Sequence, residues 1–221
     1  MHKITLVCSA HRENGRCNSD ELLRILRLIN PEVAFEEMRP QDIYAYYRSG
    51  SVEAYAISKY RESKPIQSVP VDRYDIPEAH LVEIKRDFDC VFDCVARESQ
   101  EYQRLEEKNA ESVESGGFDY LNSIACETVF ARLSKIEEET ITGMGDPFLI
   151  RSLKTWRDLI QMRELAMVSN IYEYCRNNVF DTGVFLVGAD HKTAIIKTIE
   201  EYASRKADPV SWRFYLGDQI S

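Results

Sequence analysis

No stretch of this sequence approaches the roughly 18 consecutive apolar residues that a membrane-spanning helix needs. The opening Met1-His2-Lys3-Ile4 lacks a basic region followed by a long apolar stretch and a small-residue cleavage site. The expectation is therefore a cytosolic protein with no membrane partner. Basic residues are outnumbered, and the formal net charge is −9. That argues against a protein built mainly to hold nucleic acid, because phosphate contacts require clustered Lys and Arg. Repeats, low-complexity tracts and long linkers are missing as well. The six cysteines fit reduced thiols better than a disulfide framework in a chain of 221 residues. Cys90 and Cys94 lie four apart, but no second pair completes a zinc site. The motif Cys-x-x-Cys-His is absent, which excludes covalently attached haem.

What is present is an ordinary globular composition, 44% hydrophobic, enough for a sizeable core in one domain spanning 1–221. Residues 4–8 form a continuous apolar strand followed by a polar loop over 9–17. Asn18 caps the next helix, with Glu21 completing a capping-box pattern. That helix carries Leu22, Leu23, Leu26 and Ile29 and stops before Pro31. Val33-Ala34-Phe35 reads as a second strand, 41–62 as helical with five tyrosines, and 66–71 as a third strand, placed at an edge by Pro70. From Glu78 to about Glu114 the chain is charged and helix-prone. Gly116-Gly117 breaks it, and a further helix is expected over 118–139. Asp146 and Pro147 start a helix reaching about Asn177. Strand 184–187, helix 193–204 and strand 210–216 close the chain. The predicted fold is α/β: a central, mostly parallel sheet flanked by helices, with 78–140 as a helical insertion or cap.

In open α/β sheets, ligands bind beyond the carboxyl ends of the strands. Four predicted strand ends carry suitable groups: His11 after the first, Glu36-Glu37 after the second, Asp72 after the third and His191 after a late one. A histidine beside a carboxylate is the minimum apparatus for activating water. The same groups, His11, Glu37, Asp72 and His191, could instead hold a divalent metal. Simpler readings stand beside these. His11 sits in a polar loop and could be solvated, Asp72 could be a turn residue, and His191 could cap its helix. Adjacent strand residues point to opposite faces, so one of Glu36 and Glu37 is expected in solvent. The charge run at 104–108 is expected to be a solvated helix face.

Ser9-Ala10-His11 after the first strand, Glu36-Glu37 after the second and Gly188-Ala189-Asp190-His191 after a late strand together resemble the TraB/Tiki and erythromycin-esterase/ChaN-like superfamily. Arg163-Glu164-Leu165-Ala166-Met167 stands where such proteins often carry an Arg in an acidic, methionine-containing context. The likeness covers the two ends of the chain and not the middle. It departs from the Tiki form, since Cys8-Ser9-Ala10-His11 replaces an early Gly-Thr-x-His.

The resemblance implies a hydrolase. His11 with Glu36 or Glu37 would activate water, with or without a divalent metal; Arg163 and His191 would bind the substrate or stabilise an oxyanion, and Arg12 would bind the substrate. That substrate would be an ester, lactone, amide or phosphorylated small molecule. Haem binding without catalysis is one alternative, with the tyrosines at 44–60 closing over the sheet edge. An interaction or regulatory protein with a vestigial site is another, in which the acidic helical middle engages a partner.

Overall fold

A five-stranded sheet in the order β3-β2-β4-β1-β5 organises the chain, with every pairing parallel. This is a computed structural model, and it describes residues 1–73, 75–203 and 210–217. The strands are β1 (His2–Ser9), β2 (Val33–Glu36), β3 (Gln67–Pro70), β4 (Thr182–Gly188) and β5 (Val210–Phe214). The helices are α1 (Ser19–Ile29), α2 (Ile43–Arg48), α3 (Val52–Ser63), α4 (Glu78–Glu98), α5 (Gln100–Leu121), α6 (Ile124–Met144), α7 (Pro147–Asn177) and α8 (Lys192–Ala203). The expected α/β class and mostly parallel sheet are what the structure has.

Local chemistry explains the boundaries. Asn18 accepts from the Glu21 N–H at the start of α1, and Asn30 ends that helix in the left-handed region at φ 56°. Asp146 caps α7 through the N–H groups of Phe148 and Leu149, with Pro147 behind it. β3 lies at the sheet edge, where Pro70 removes no hydrogen bond that a neighbour needs. The last residue expected in helix 193–204 lies outside the described residues.

The middle of the chain differs from expectation in its breaks. The stretch expected to run unbroken to Glu114 divides at Ser99, which caps α5 through the Tyr102 N–H. Gly117, at φ 55°, takes the backbone out of the helix at the expected break, and the helix expected over 118–139 is itself interrupted after Leu121 before α6 begins. α4, α5 and α6 then bury Val91, Val95, Tyr102, Leu133 and Ile136 in a core of their own, joined by Leu149 and Leu153 from the start of α7. The helical layer is therefore fastened to the sheet by α7, whose second half packs Met167, Val168 and Ile171 into the main core.

A second fastening lies at the end of β1. Buried Asn122 accepts from the Cys8 N–H at 2.8 Å and donates to the Cys8 carbonyl at 3.0 Å. Lys192, itself buried, donates to the Asn122 carbonyl and pairs with Glu127 at 2.7 Å. Helix ends, strand β1 and α8 thus meet at one edge of the sheet.

Candidate functional site

Parallel pairing in the order β3-β2-β4-β1 aligns four carboxyl ends side by side. β1 sends the chain one way to β2, and β4 sends it the other way to β5. This is the kind of strand-order reversal where a crevice opens. The loops behind these ends are knit together. The Met38 and Val71 N–H groups both donate to the Glu36 carbonyl, and the Asp72 N–H donates to the Met38 carbonyl. Asn170 on α7 donates to the Val71 carbonyl at 2.9 Å.

Glu37 stands at the centre. One carboxylate oxygen accepts from the Gly188 N–H at 2.8 Å and lies 3.5 Å from His11 Nε2. The other accepts from Arg163 at 2.8 Å and lies 3.2 Å from His191 Nε2. Arg163 also grips both oxygens of Asp72, at 2.9 to 3.1 Å. Each histidine is held from behind by a buried glutamate: His11 Nδ1 by Glu53 at 2.9 Å and His191 Nδ1 by Glu164 at 2.8 Å. The Ser9 hydroxyl donates to Glu53. An ionised carboxylate only accepts, so both Nδ1 atoms carry hydrogen.

The electrostatics follow from this geometry. Burial opposes the charged form of His11, but Glu37 and Glu53 outweigh it and raise its pKa to about 11. Burial opposes charge on His191 too, and Glu164 and Glu37 overcome it, giving about 10. Burial pushes Glu37 upward, yet the two imidazoles hold it well below the usual carboxylate range. At neutral pH the centre is a carboxylate between two imidazolium ions.

Exposure then separates the two histidines. The His11 side chain is 43% exposed and that of His191 only 5%. His11 also stands at φ 59°, in the left-handed region, a conformation costing a non-glycine residue about 1–2 kcal/mol. Its backbone is held there by the Val52 N–H, which donates to its carbonyl. A cavity of about 460 Å³ opens beside the network, and Glu37, Asp72 and Arg163 form part of its wall.

The structure therefore brings His11, Glu37, Asp72, Arg163 and His191 together. Several expected roles are corrected. Glu36 points to the opposite sheet face, as adjacent strand residues must, and is fully buried rather than solvated. It accepts from Tyr47 at 2.8 Å, and burial raises its pKa to about 7 against the opposing Ser68, Tyr47 and Arg61. His191, expected to bind substrate, is enclosed, with Nε2 3.2 Å from Glu37 and Nδ1 2.8 Å from Glu164. Arg12 is exposed, and among the described residues its guanidinium makes no hydrogen bond to the network.

The proposed metal ligands do not point at one place. Each Nε2 faces a different oxygen of Glu37, and both Asp72 oxygens are taken by Arg163. Among the described residues no group of three His, Cys, Asp or Glu side chains is arranged to hold a metal ion. The tyrosines of the haem alternative are placed as follows. Of the five tyrosines, Tyr44 and Tyr55 are exposed, Tyr47 serves Glu36, and Tyr60 bonds to Asn30. Tyr46 lines the cavity, but burial raises its pKa and disfavours the phenolate that would bind iron.

Two members of the network were not foreseen, Glu53 and Glu164. Glu53 shares a helix face with Ala56, Ile57 and Tyr60, all buried, so a carboxylate on an apolar stripe was the available signal. Glu164 occupies the same kind of position between Ile160 and Val168 on α7. No family model, curated protein or solved structure matches the chain.

Proposed function

We propose that the protein is a hydrolase in which Glu37 and His11 act as a coupled proton-transfer pair. The observation that supports this reading is a single carboxylate, Glu37, that lines a cavity and is held between two glutamate-anchored imidazoles, one of them open to solvent. The ordered set of a histidine after β1, a glutamate after β2 and Gly-x-x-His after β4 is the one that resembles the TraB/Tiki and erythromycin-esterase/ChaN-like proteins, and it supports the same reading.

The resting protonation decides the direction of each step. His11 carries two protons and is a donor first, while Glu37 is an acceptor. A water bonded to Glu37 attacks the substrate's carbonyl or phosphoryl centre, and its proton passes to the carboxylate. The His11 imidazolium gives a proton to the leaving oxygen or nitrogen as that bond breaks. The proton on Glu37 then returns to His11, and the pair is reset. Glu37 is a weak base while both imidazoles are charged, but it strengthens as His11 loses its proton. The two transfers therefore favour one another.

Arg163 has a second part. Its Nε and Nη2 hold Asp72 and Glu37, and Nη1 makes no hydrogen bond among the described residues. That donor faces developing negative charge on the substrate. Arginine suits the place because it is planar and permanently charged.

The test is hydrolysis of 4-nitrophenyl esters, lactones, anilides and 4-nitrophenyl phosphate at pH 7, with and without chelator. Turnover of one class is expected, unchanged by chelator and reduced at least ~100-fold in His11→Ala and Glu37→Gln. Turnover that both variants retain, or that requires added metal, overturns this mechanism.

A further inference from the structure

The cavity beside Glu37 is built from two unlike ends. At the inner end lie Glu37, Asp72 and Arg163, and behind them a network of four carboxylates (Glu37, Glu53, Asp72, Glu164) and three cations (His11, Arg163, His191). That end already carries an excess of negative charge, so a ligand's acidic group is repelled from it. The rest of the wall carries an apolar set, Met38, Leu81, Trp156 and Leu159, beside the polar Asp42, Tyr46 and Ser49. Trp156 is backed by Phe88, stacked at 4.4 Å and 11°, which fixes the plane of its ring.

The cations on the wall are unequal. Arg39 is committed to Asp42 and Glu78, and Arg163 to Asp72 and Glu37. Lys85, exposed on α4, makes no ion pair among the described residues, although it lines the same cavity. An apolar wall with an exposed ammonium on it that makes no ion pair among the described residues is complementary to an amphipathic anion. A volume of about 460 Å³ lies within the ~300–1,000 Å³ range of small-molecule sites.

We infer that the substrate is a small molecule with an aromatic or acyl body and an acidic group. Its body lies against Trp156, Leu81 and Leu159, its acidic group pairs with Lys85, and its scissile bond is thereby set at Glu37. This rests on the hydrolase reading for the word substrate, but the binding claim stands apart from turnover. Lys85 selects by charge, and Trp156 and its neighbours supply most of the affinity. The ammonium is exposed and solvent-screened, so its effect is one of selectivity more than of tight binding.

Calorimetric titration with 2-naphthoxyacetate and with its neutral amide tests the inference. The acid has no scissile ester or amide bond, and the amide is titrated on Glu37→Gln as well as on the wild type, so that its hydrolysis cannot enter the readout. The acid is expected to bind at least about fivefold more tightly than the amide. Lys85→Glu should remove that preference and leave the amide's affinity unchanged. Trp156→Ala should weaken both compounds alike. Glu37→Gln should still bind the acid, while losing turnover. Equal binding of acid and amide to the wild type, or a preference that survives Lys85→Glu, overturns the inference. Selective binding with no turnover of any ester, amide or phosphate overturns the hydrolase reading and leaves the anion site standing. Turnover of neutral esters with no gain from an added acidic group does the reverse.

Discussion

His11 Nδ1 lies 2.9 Å from Glu53 Oε1, a carboxylate that is only 1% exposed and that also accepts from the Ser9 hydroxyl. The contact joins the loop after β1 to the first turn of α3, 42 residues away. It fixes the imidazole's orientation and, with Glu37, makes the ring cationic at rest. His11 must be protonated to give a proton to the leaving group, so activity falls as pH rises through its pKa. Glu53→Gln keeps the side chain's shape and removes its charge. The alkaline limb of the kcat/KM profile should therefore move to lower pH in this variant, with the limb set by Glu37 little changed. An alkaline limb that stays in place would remove His11 from the proton-transfer role.

Glu36 gives a stability prediction rather than a catalytic one. It faces Tyr47 and Ser68 on the other side of the sheet, with Arg61 near and Glu53 opposing, and one of its oxygens has no hydrogen-bond partner among the described residues. Its pKa is raised from 4.5 to about 7. Below pH 4.5 it is protonated in both folded and unfolded chains and contributes no pH dependence. Between 4.5 and 7 the unfolded carboxyl ionises while the folded one resists. Stability is thus lost with rising pH, by about 3 kcal/mol in all. Glu36→Gln removes that loss. Urea melts should show the variant gaining on the wild type between pH 5 and pH 8, a comparison in which the histidine contributions cancel.

The sequence made much of this arrangement readable, for identifiable reasons. β1 and β4 are apolar runs buried on both faces, so they stand out without alternation. Asp146-Pro147 and Asn18 mark helix starts by hydrogen-bond chemistry alone. Polar groups just past such strands are conspicuous, which is how His11, Glu37, Asp72 and His191 were found. Sidedness was harder to read. Glu36 and Glu37 are indistinguishable until the pleat is fixed, and the expectation that one lies in solvent fails because α2 and α3 cover that face. Glu53 lies in the first turn of α3 and Glu164 midway along α7, places where a carboxylate reads as surface unless the helix face is known. The glycine pair at 116–117 marked one break in the middle of the chain, whereas the break at Ser99 was obscured because charged helices have few apolar positions to set their phase.

Gly188 shows why the late motif begins with glycine. A Cβ there would lie 3.1 Å from His11 Nε2 and 2.7 Å from the Asp190 carboxylate, while its N–H must reach Glu37. Asp190 is exposed and can turn away, but His11 is held by Glu53 and cannot. Gly188→Ala should displace the imidazole by a few tenths of an ångström. Because misplaced reacting groups are costly, a drop of about tenfold or more in kcat is expected, with the far-UV spectrum and KM little altered. A variant that lowers KM-linked binding alone would place the fault in the cavity instead.

Arg163 separates structural from chemical work within one side chain. Asp72 and Glu37 are both nearly buried, and Arg163 is the one guanidinium bonded to either of them among the described residues. Removing it in Arg163→Ala leaves two enclosed carboxylates with less compensation, a change expected to cost about 3 kcal/mol in urea melts. Arg163→Lys restores the charge but not the planar fork, so it can satisfy Asp72 or Glu37 and cannot also present a free donor to the cavity. Much of the stability should return in that variant. Turnover should remain down by about 100-fold, and the loss should appear in kcat, because an oxyanion donor acts only as charge develops. Full activity in a stable Arg163→Lys protein would reduce this residue to a clamp on Glu37 and Asp72, and the oxyanion would then need another donor.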